Sequence, residues 1–459
     1  MERFKVLKAI TFALTDAGLA ERLELIIGPD WKYAPAIKRW LHWTGQQWQE
    51  TEQSSILVAA VEALRALADE IAKLPKANTD YERKARAAVL NYIEKAENAN
   101  RCRSALAFLE GMLHADYSDF DRDPLLLNVR NGVLDLKTCK LRPHKKEDLL
   151  TKICATSYVT GITTSLWHET VMQILPDPSI RRWLQKFCGY CLTGSTEAEK
   201  FVIAYGPGGC GKGTFFETIA AALGDYKAVV PIDILLANGI MKSGDQPTPE
   251  LAKLPGKRYV ISSESGKGRR LDEAKVKLLT GGDVLTARRI GAQPFEFRPC
   301  FKLILQSNFL PSLVDSTDEG IKRRLVIVPF TATIPNRNTK LKQALLSEAN
   351  LNACLAWLVE GCKIWQTEGL EDVPPEAAEA AAKFYAENDV LQQWLDARTE
   401  NSLGFLQFDV ALKDFNRWQL DGGGNAYGRK SFSEAMERHG KQKTRQASGV
   451  GFLGLALRQ

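Results

Sequence analysis

The segment that most restricts this chain is FVIAYGPGGCGKGTFFETIAAALG, residues 201–224. Five apolar or aromatic residues predict a buried strand, the next nine carry five glycines, and an amphipathic helix follows at once. Glycines at this density let successive backbone N–H groups turn inward around an anion, and the helix N-terminus adds partial positive charge. Strand, glycine loop and helix in this order are the context of a phosphate-binding loop whose lysine reaches the β and γ phosphates of a nucleotide. The predicted ATP contacts are therefore Gly206, Pro207, Gly208, Gly209, Cys210, Gly211, Lys212, Gly213 and Thr214. The residue after the lysine, usually a hydroxyl for Mg2+, is Gly213, which assigns the magnesium-side hydroxyl to Thr214.

A nucleotide loop needs an acid on a neighbouring strand to hold Mg2+ and order the attacking water. The run KRYVISSE supplies it, as a strand ending in Glu264. A second strand, FKLILQSN, ends in Asn308, an amide able to orient that water. GIKRR then puts Arg323 and Arg324 before a third apolar run, where an arginine can neutralise charge developing on the γ phosphate. Strands alternating with amphipathic helices from 200 to about 330 predict an α/β core with a largely parallel sheet.

The 459 residues suggest about three domains. With 45% hydrophobic and 25% charged residues, the composition excludes a disordered, fibrous or disulfide-stapled chain. A net charge of +6 is too mild to identify a nucleic-acid binder unaided. Nine cysteines, an odd number, read as thiols of a reducing cytosol. Cys188 and Cys191 form a CxxC without a second ligand pair and read as buried thiols. The acidic run DFDRD fails as a calcium loop because Pro124 and Arg130 stand where Gly and Glu are required, and it reads as a solvated loop. No run of 18 apolar residues occurs and charges interrupt the N-terminal apolar stretch, so neither a membrane span nor a signal peptide is expected, and the expected location is cytoplasmic.

Four regions follow. Residues 1–118 are mostly helical, with Ile56, Ala60, Leu64, Leu67 and Ile71 on one face, and Trp40, Trp43 and Trp48 form the core of a small hairpin. Residues 119–198 form a linking domain and 199–370 the ATPase core. In 371–459, Pro374 and Pro375 mark a linker or a new helix, followed by a winged-helix-like order of helices, glycine turn and hairpin. Seven basic against three acidic residues over 421–459 make that tail a candidate DNA surface.

The ordered set GPGGCGKGTF, VISSES, KLLTGGDVLTARR, FKLILQSN and GIKRRLVIVPF resembles the superfamily 3 helicase module of phage, plasmid and poxvirus-type primase-helicases. NVRNGVLDL, LTKI and GYCLTGST resemble the segment that precedes that module, so the resemblance covers about 120–335. It implies an AAA+-type P-loop ATPase, assembled as a homo-oligomeric, hexameric ring, that translocates on single-stranded or forked DNA and unwinds it during replication of a phage or mobile element. By position, Lys212 is the phosphate lysine, Glu264 the acidic strand residue, Asn308 the sensor, and Arg324 rather than Arg323 the finger reaching a neighbouring subunit's ATP. The resemblance also implies that 283–297 form a channel hairpin. Its tip, 291–294, has no basic residue, so Arg288 and Arg289 are the candidate DNA contacts, with Lys302 as the alternative. A separate primase partner is left open. A non-unwinding ATP-dependent initiator or loader shares every motif. A nucleoside monophosphate kinase shares GKGT, but the hairpin and the large flanking regions speak against it.

Overall fold

The computed structural model describes residues 2–162, 165–237, 248–264, 266, 269–291, 293–313, 316–334, 340–447 and 449–458, with Glu264 described by its backbone. Five parallel strands form the central sheet: β1 (Phe201–Tyr205), β2 (Lys227–Val229), β3 (Tyr259–Glu264), β4 (Lys302–Ser307) and β5 (Leu325–Pro329). Their order is β5-β1-β4-β3-β2, which sets the glycine-loop strand between β5 and β4. These strands read as continuous apolar runs because both faces are covered. Alternate residues divide accordingly: Val202, Ala204, Ile304, Val326 and Val328 enter one core, and Phe201, Ile203, Leu303, Leu305 and Ile327 the other.

The first face is covered by α1 (Leu166–Ile174), α2 (Pro178–Tyr190), α3 (Lys212–Leu223) and α4 (Glu348–Glu368). The three-stranded antiparallel sheet of Leu126–Val129, Gly132–Asp135 and Lys140–Arg142 contributes Leu127, Val129 and Leu134 to the same core. Within residues 119–198, Leu150 is buried and Phe120 packs with Leu41 and Trp48, while most of the buried apolar residues join this core. Cys188 and Cys191 lie in it, where burial pushes both thiols up, that of Cys191 to about 12. All nine cysteines are free thiols. Among the described residues no His, Cys, Asp and Glu group suits a metal ion, and no helix is long and apolar enough to cross a membrane.

On the other face, Pro375–Asn388 inserts Phe384. Pro375 occupies the first turn, where its missing N–H is not needed, so the paired prolines start a helix. The N-terminal region packs Arg3–Thr11, Asp16–Ile27, Gln53–Ala72, Asp80–Ala96 and Ala99–Met112 around the expected stripe from Ile56 to Ile71. The tryptophan hairpin gains a third strand, Trp31–Ala34, and Trp40 and Trp48 are fully buried, so both rings serve packing.

The C-terminal region runs helix, strand, helix, helix, strand, strand, with Val390–Arg398, Phe408–Asp421 and Arg429–Arg438 on a three-stranded antiparallel sheet. Trp394, Phe415 and Phe432 centre its core. The strand Thr399–Gln407 was not expected. Among its nine residues only Thr399 and Leu406 are buried, so the sequence TENSLGFLQ lacks the apolar alternation that marks a strand.

Candidate active site

Strand register gathers the predicted residues. Ser307 of β4 pairs with Tyr205 of β1 on one side and Glu264 of β3 on the other, which aligns the C-terminal ends of the three strands. The glycine loop, Glu264 and Asn308 therefore leave the sheet at one edge, where open α/β sheets bind their ligands. Two glycines show why the loop tolerates little else. A Cβ at Gly206 would lie 2.2 Å from the Phe330 carbonyl oxygen. Gly211, the left-handed cap of α3 at φ +92, would drive one to 2.6 Å from Ile174 of α1.

Lys212 is only 7% exposed. Its Nζ donates to the carbonyl oxygens of Gly206 at 2.6 Å and Pro207 at 3.1 Å and to Oδ1 of Asn308 at 3.2 Å, with Cys210 Sγ at 3.4 Å. No carboxylate among the described residues pairs with it. A buried cation held by neutral acceptors alone suits an anionic ligand. The loop and lysine border a cleft of about 720 Å3 that also takes in Thr214, Ser263 and Asn308.

Sequence reasoning missed the opposite wall. α1 contributes Glu169, Thr170 and Gln173, and Lys342 closes the rim through a 2.8 Å ion pair with Glu217 of α3. The apolar face of α1 was the one available signal, and it points to packing. Glu264 ends β3 as expected, while its side chain lies outside the described atoms.

The arginines sit at the far end of the sheet. Leu325, next to Arg324, pairs with Phe201 at the start of β1, so five residues at about 3.3 Å each put the pair roughly 16 Å from the loop. Glu199 holds both, with Arg323 and Arg324 each 2.8 Å from one carboxylate oxygen, and Arg324 also donates to the Gly320 carbonyl. The Arg324 side chain is 8% exposed against 64% for Arg323. The Arg324 guanidinium thus braces the turn into β5, and Arg323 is the one presented outward.

Leu285–Arg288 and Pro294–Phe297 pair as the expected hairpin, apart from the central sheet. Ala287 and Phe295 pack against Leu41, Trp48 and Phe120 of the N-terminal side. Arg289 forms a 3.3 Å ion pair with Glu50, and the Arg288 backbone exchanges hydrogen bonds with Thr248. Lys302 is corrected outright. It is buried, its Nζ donates to the carbonyls of Thr193, Ser195 and Cys300, and it lies 4.5 Å over the Tyr190 ring, so it ties β4 to the turn after α2 and presents nothing to DNA. Burial pulls its ammonium down to about 8. Lys302→Ala, which strands those carbonyls, should cost about 1–3 kcal/mol of stability in thermal melts while leaving the DNA affinity of the folded protein unchanged. Weakened DNA binding at full stability would restore the original assignment. In the tail, Lys430 and Lys443 pair with Glu434 and Glu437, and Arg429 with Asp409, so part of its positive charge is matched locally.

Residues 20–189 match the family described as D5 N terminal like, and 204–324 match a family of unknown function, DUF5906. The chain is 31% identical over 217 residues to "Putative helicase L207/L206" of Acanthamoeba polyphaga mimivirus, covering 46% of this chain and 22% of that protein. It is 25% identical over 369 residues to "Putative helicase 121R" of Invertebrate iridescent virus 3, covering 72% and 39%. It is also 25% identical over 257 residues to "Putative primase C962R" of African swine fever virus, covering 52% and 26%. The chain thus spans well under half the length of these relatives. Among solved structures, the apo NrS-1 C-terminal region is similar in fold, with a TM-score of 0.52 at 11% identity over 96% of this chain and 99% of that one. The D5-type match over residues 20–189 and the similarity to viral proteins named as helicases and primases support a likeness to phage- and poxvirus-type primase-helicases.

Proposed function

We propose that the chain is an ATP-dependent replicative DNA helicase with a P-loop, AAA+-type core that hydrolyses ATP between subunits of a homo-oligomeric, hexameric ring. The observation that carries this reading is the buried Lys212 ammonium, held by neutral acceptors at the junction of a glycine loop and Asn308. The loop amides and Lys212 would hold the phosphates, and Thr214 and Glu264 would hold Mg2+, which would supply charge neutralisation for phosphoryl transfer. Asn308 exchanges its bond to Lys212 for one to the attacking water. Arg323, outward and remote from its own loop, serves the ATP of the next subunit. The C-terminal helix and strand order is that of a winged helix and supplies a duplex contact.

Two measurements test this reading. ATP turnover by the full chain should rise when single-stranded DNA is added, and turnover indifferent to DNA would overturn the helicase assignment. Thr214→Ala should lose on the order of tenfold in turnover, with part of it restored at raised Mg2+. Wild-type behaviour at every Mg2+ concentration would remove the hydroxyl from the site.

A further inference from the structure

A second cleft, of about 650 Å3, opens where the edge strand β2, the hairpin and the N-terminal strands meet, and it shares no lining residue with the first. Five cations line it: Lys152, Lys227, Lys253, Lys257 and Arg289. Glu50 is the one acid among its described lining residues.

The cations are poorly matched within the chain. Lys253 pairs with Glu250 at 3.1 Å and Arg289 with Glu50 at 3.3 Å. Among the described residues the Lys257 ammonium donates to the Asp225 carbonyl at 2.7 Å and that of Lys152 to the Thr151 hydroxyl at 2.7 Å, and neither forms an ion pair. Lys227 is exposed and has no ion-pair partner among the described residues. Burial first, and then the charge of Lys152, hold the Lys257 ammonium below its usual range despite the attraction of Asp225, Asp121 and Glu50. Like charges kept together and partly desolvated are costly without a bound anion, and a phosphate relieves that cost. Glu50 stands where such an anion would sit. Its carboxylate takes Arg289 on one oxygen and accepts the Tyr117 hydroxyl, at 2.9 Å, on the other.

We infer that this cleft binds the phosphate backbone of a single DNA strand, with Glu50 as an internal counter-ion that Arg289 exchanges for a phosphate. This rests on the reading of the chain as a DNA-handling enzyme and adds a contact built jointly by the N-terminal region and the core. Ile290, 79% exposed and on the cleft wall, offers an apolar surface to a base.

The test is fluorescence anisotropy of a labelled oligo-dT with the full chain across a salt series. Lys227→Ala with Lys253→Ala removes two exposed side chains, so circular dichroism should show an unchanged fold. Affinity at about 0.1 M salt should fall about tenfold, and the log–log salt slope should become shallower by about 1.4, for two lost single-strand phosphate contacts. Glu50→Gln keeps an acceptor for Tyr117 but frees Arg289, and should bind the oligonucleotide about three- to tenfold more tightly. Wild-type affinity and slope in the double lysine variant would overturn the cleft while leaving the helicase reading intact. Weaker binding by Glu50→Gln would overturn the counter-ion role. Failure of the unaltered chain to bind the oligonucleotide would overturn the cleft and the proposed function together.

Discussion

Lys212→Ala is expected to reduce ATP turnover by at least a thousandfold while the protein still folds. Phosphoryl transfer leaves the protein little to do beyond positioning and charge stabilisation, so removing the cation of the glycine loop removes much of what the site supplies. The fold should survive because the described partners of Lys212 Nζ are loop carbonyls, the Cys210 sulfur and Asn308, at the border of a cleft from which water can replace it. Steady-state phosphate release and a thermal melt on the same sample separate the two effects. Turnover within a few-fold of wild type would sink the phosphate-loop assignment. Loss of turnover with collapse of the melt would make Lys212 a structural residue instead.

The second large effect belongs to the arginines. Arg323→Ala should lower turnover by about a thousandfold, the lower end of what a finger contributes, because Arg323 is the arginine of this turn that faces outward. Arg324→Ala should act through stability, since it leaves Arg324's buried place beside Glu199 and the Gly320 carbonyl empty. The roughly 16 Å of backbone between this pair and the chain's own glycine loop favours a finger acting on a neighbouring subunit. Mixing Arg323→Ala and Lys212→Ala subunits, each inactive alone, should therefore recover part of the turnover, since one interface type then joins an intact finger to an intact loop. Co-assembled mixtures that stay inactive would argue against a shared site.

What the sequence revealed and what it hid follow from how local each feature is. The glycine loop was legible because strand, loop and helix are contiguous, and the ends of β3 and β4 were legible because each is a buried apolar run closed by a polar residue. Their juxtaposition was not. That Asn308 meets Lys212 depends on β4 lying beside β1, a strand order that no periodicity encodes. Glu199 shows the same limit from the other side: it reads as one acid in TEAEK, and its hold on two arginines more than 120 residues away exists only in the fold. Lys302 misled because a cation opening a strand usually faces water, and here three backbone carbonyls and a tyrosine ring replace it. The basic cleft escaped notice because its cations come from segments that only the packing of the N-terminal region on the core brings together.

The most direct test of the central claim is strand separation on a forked DNA substrate by the assembled full chain, measured with ATP, with a non-hydrolysable ATP analogue, and with the Lys212→Ala protein. Displacement of the labelled strand with ATP alone, and none with the analogue or the variant, is the predicted result. DNA-stimulated hydrolysis by an assembled protein that leaves the fork intact would contradict it and identify a loader in place of a helicase.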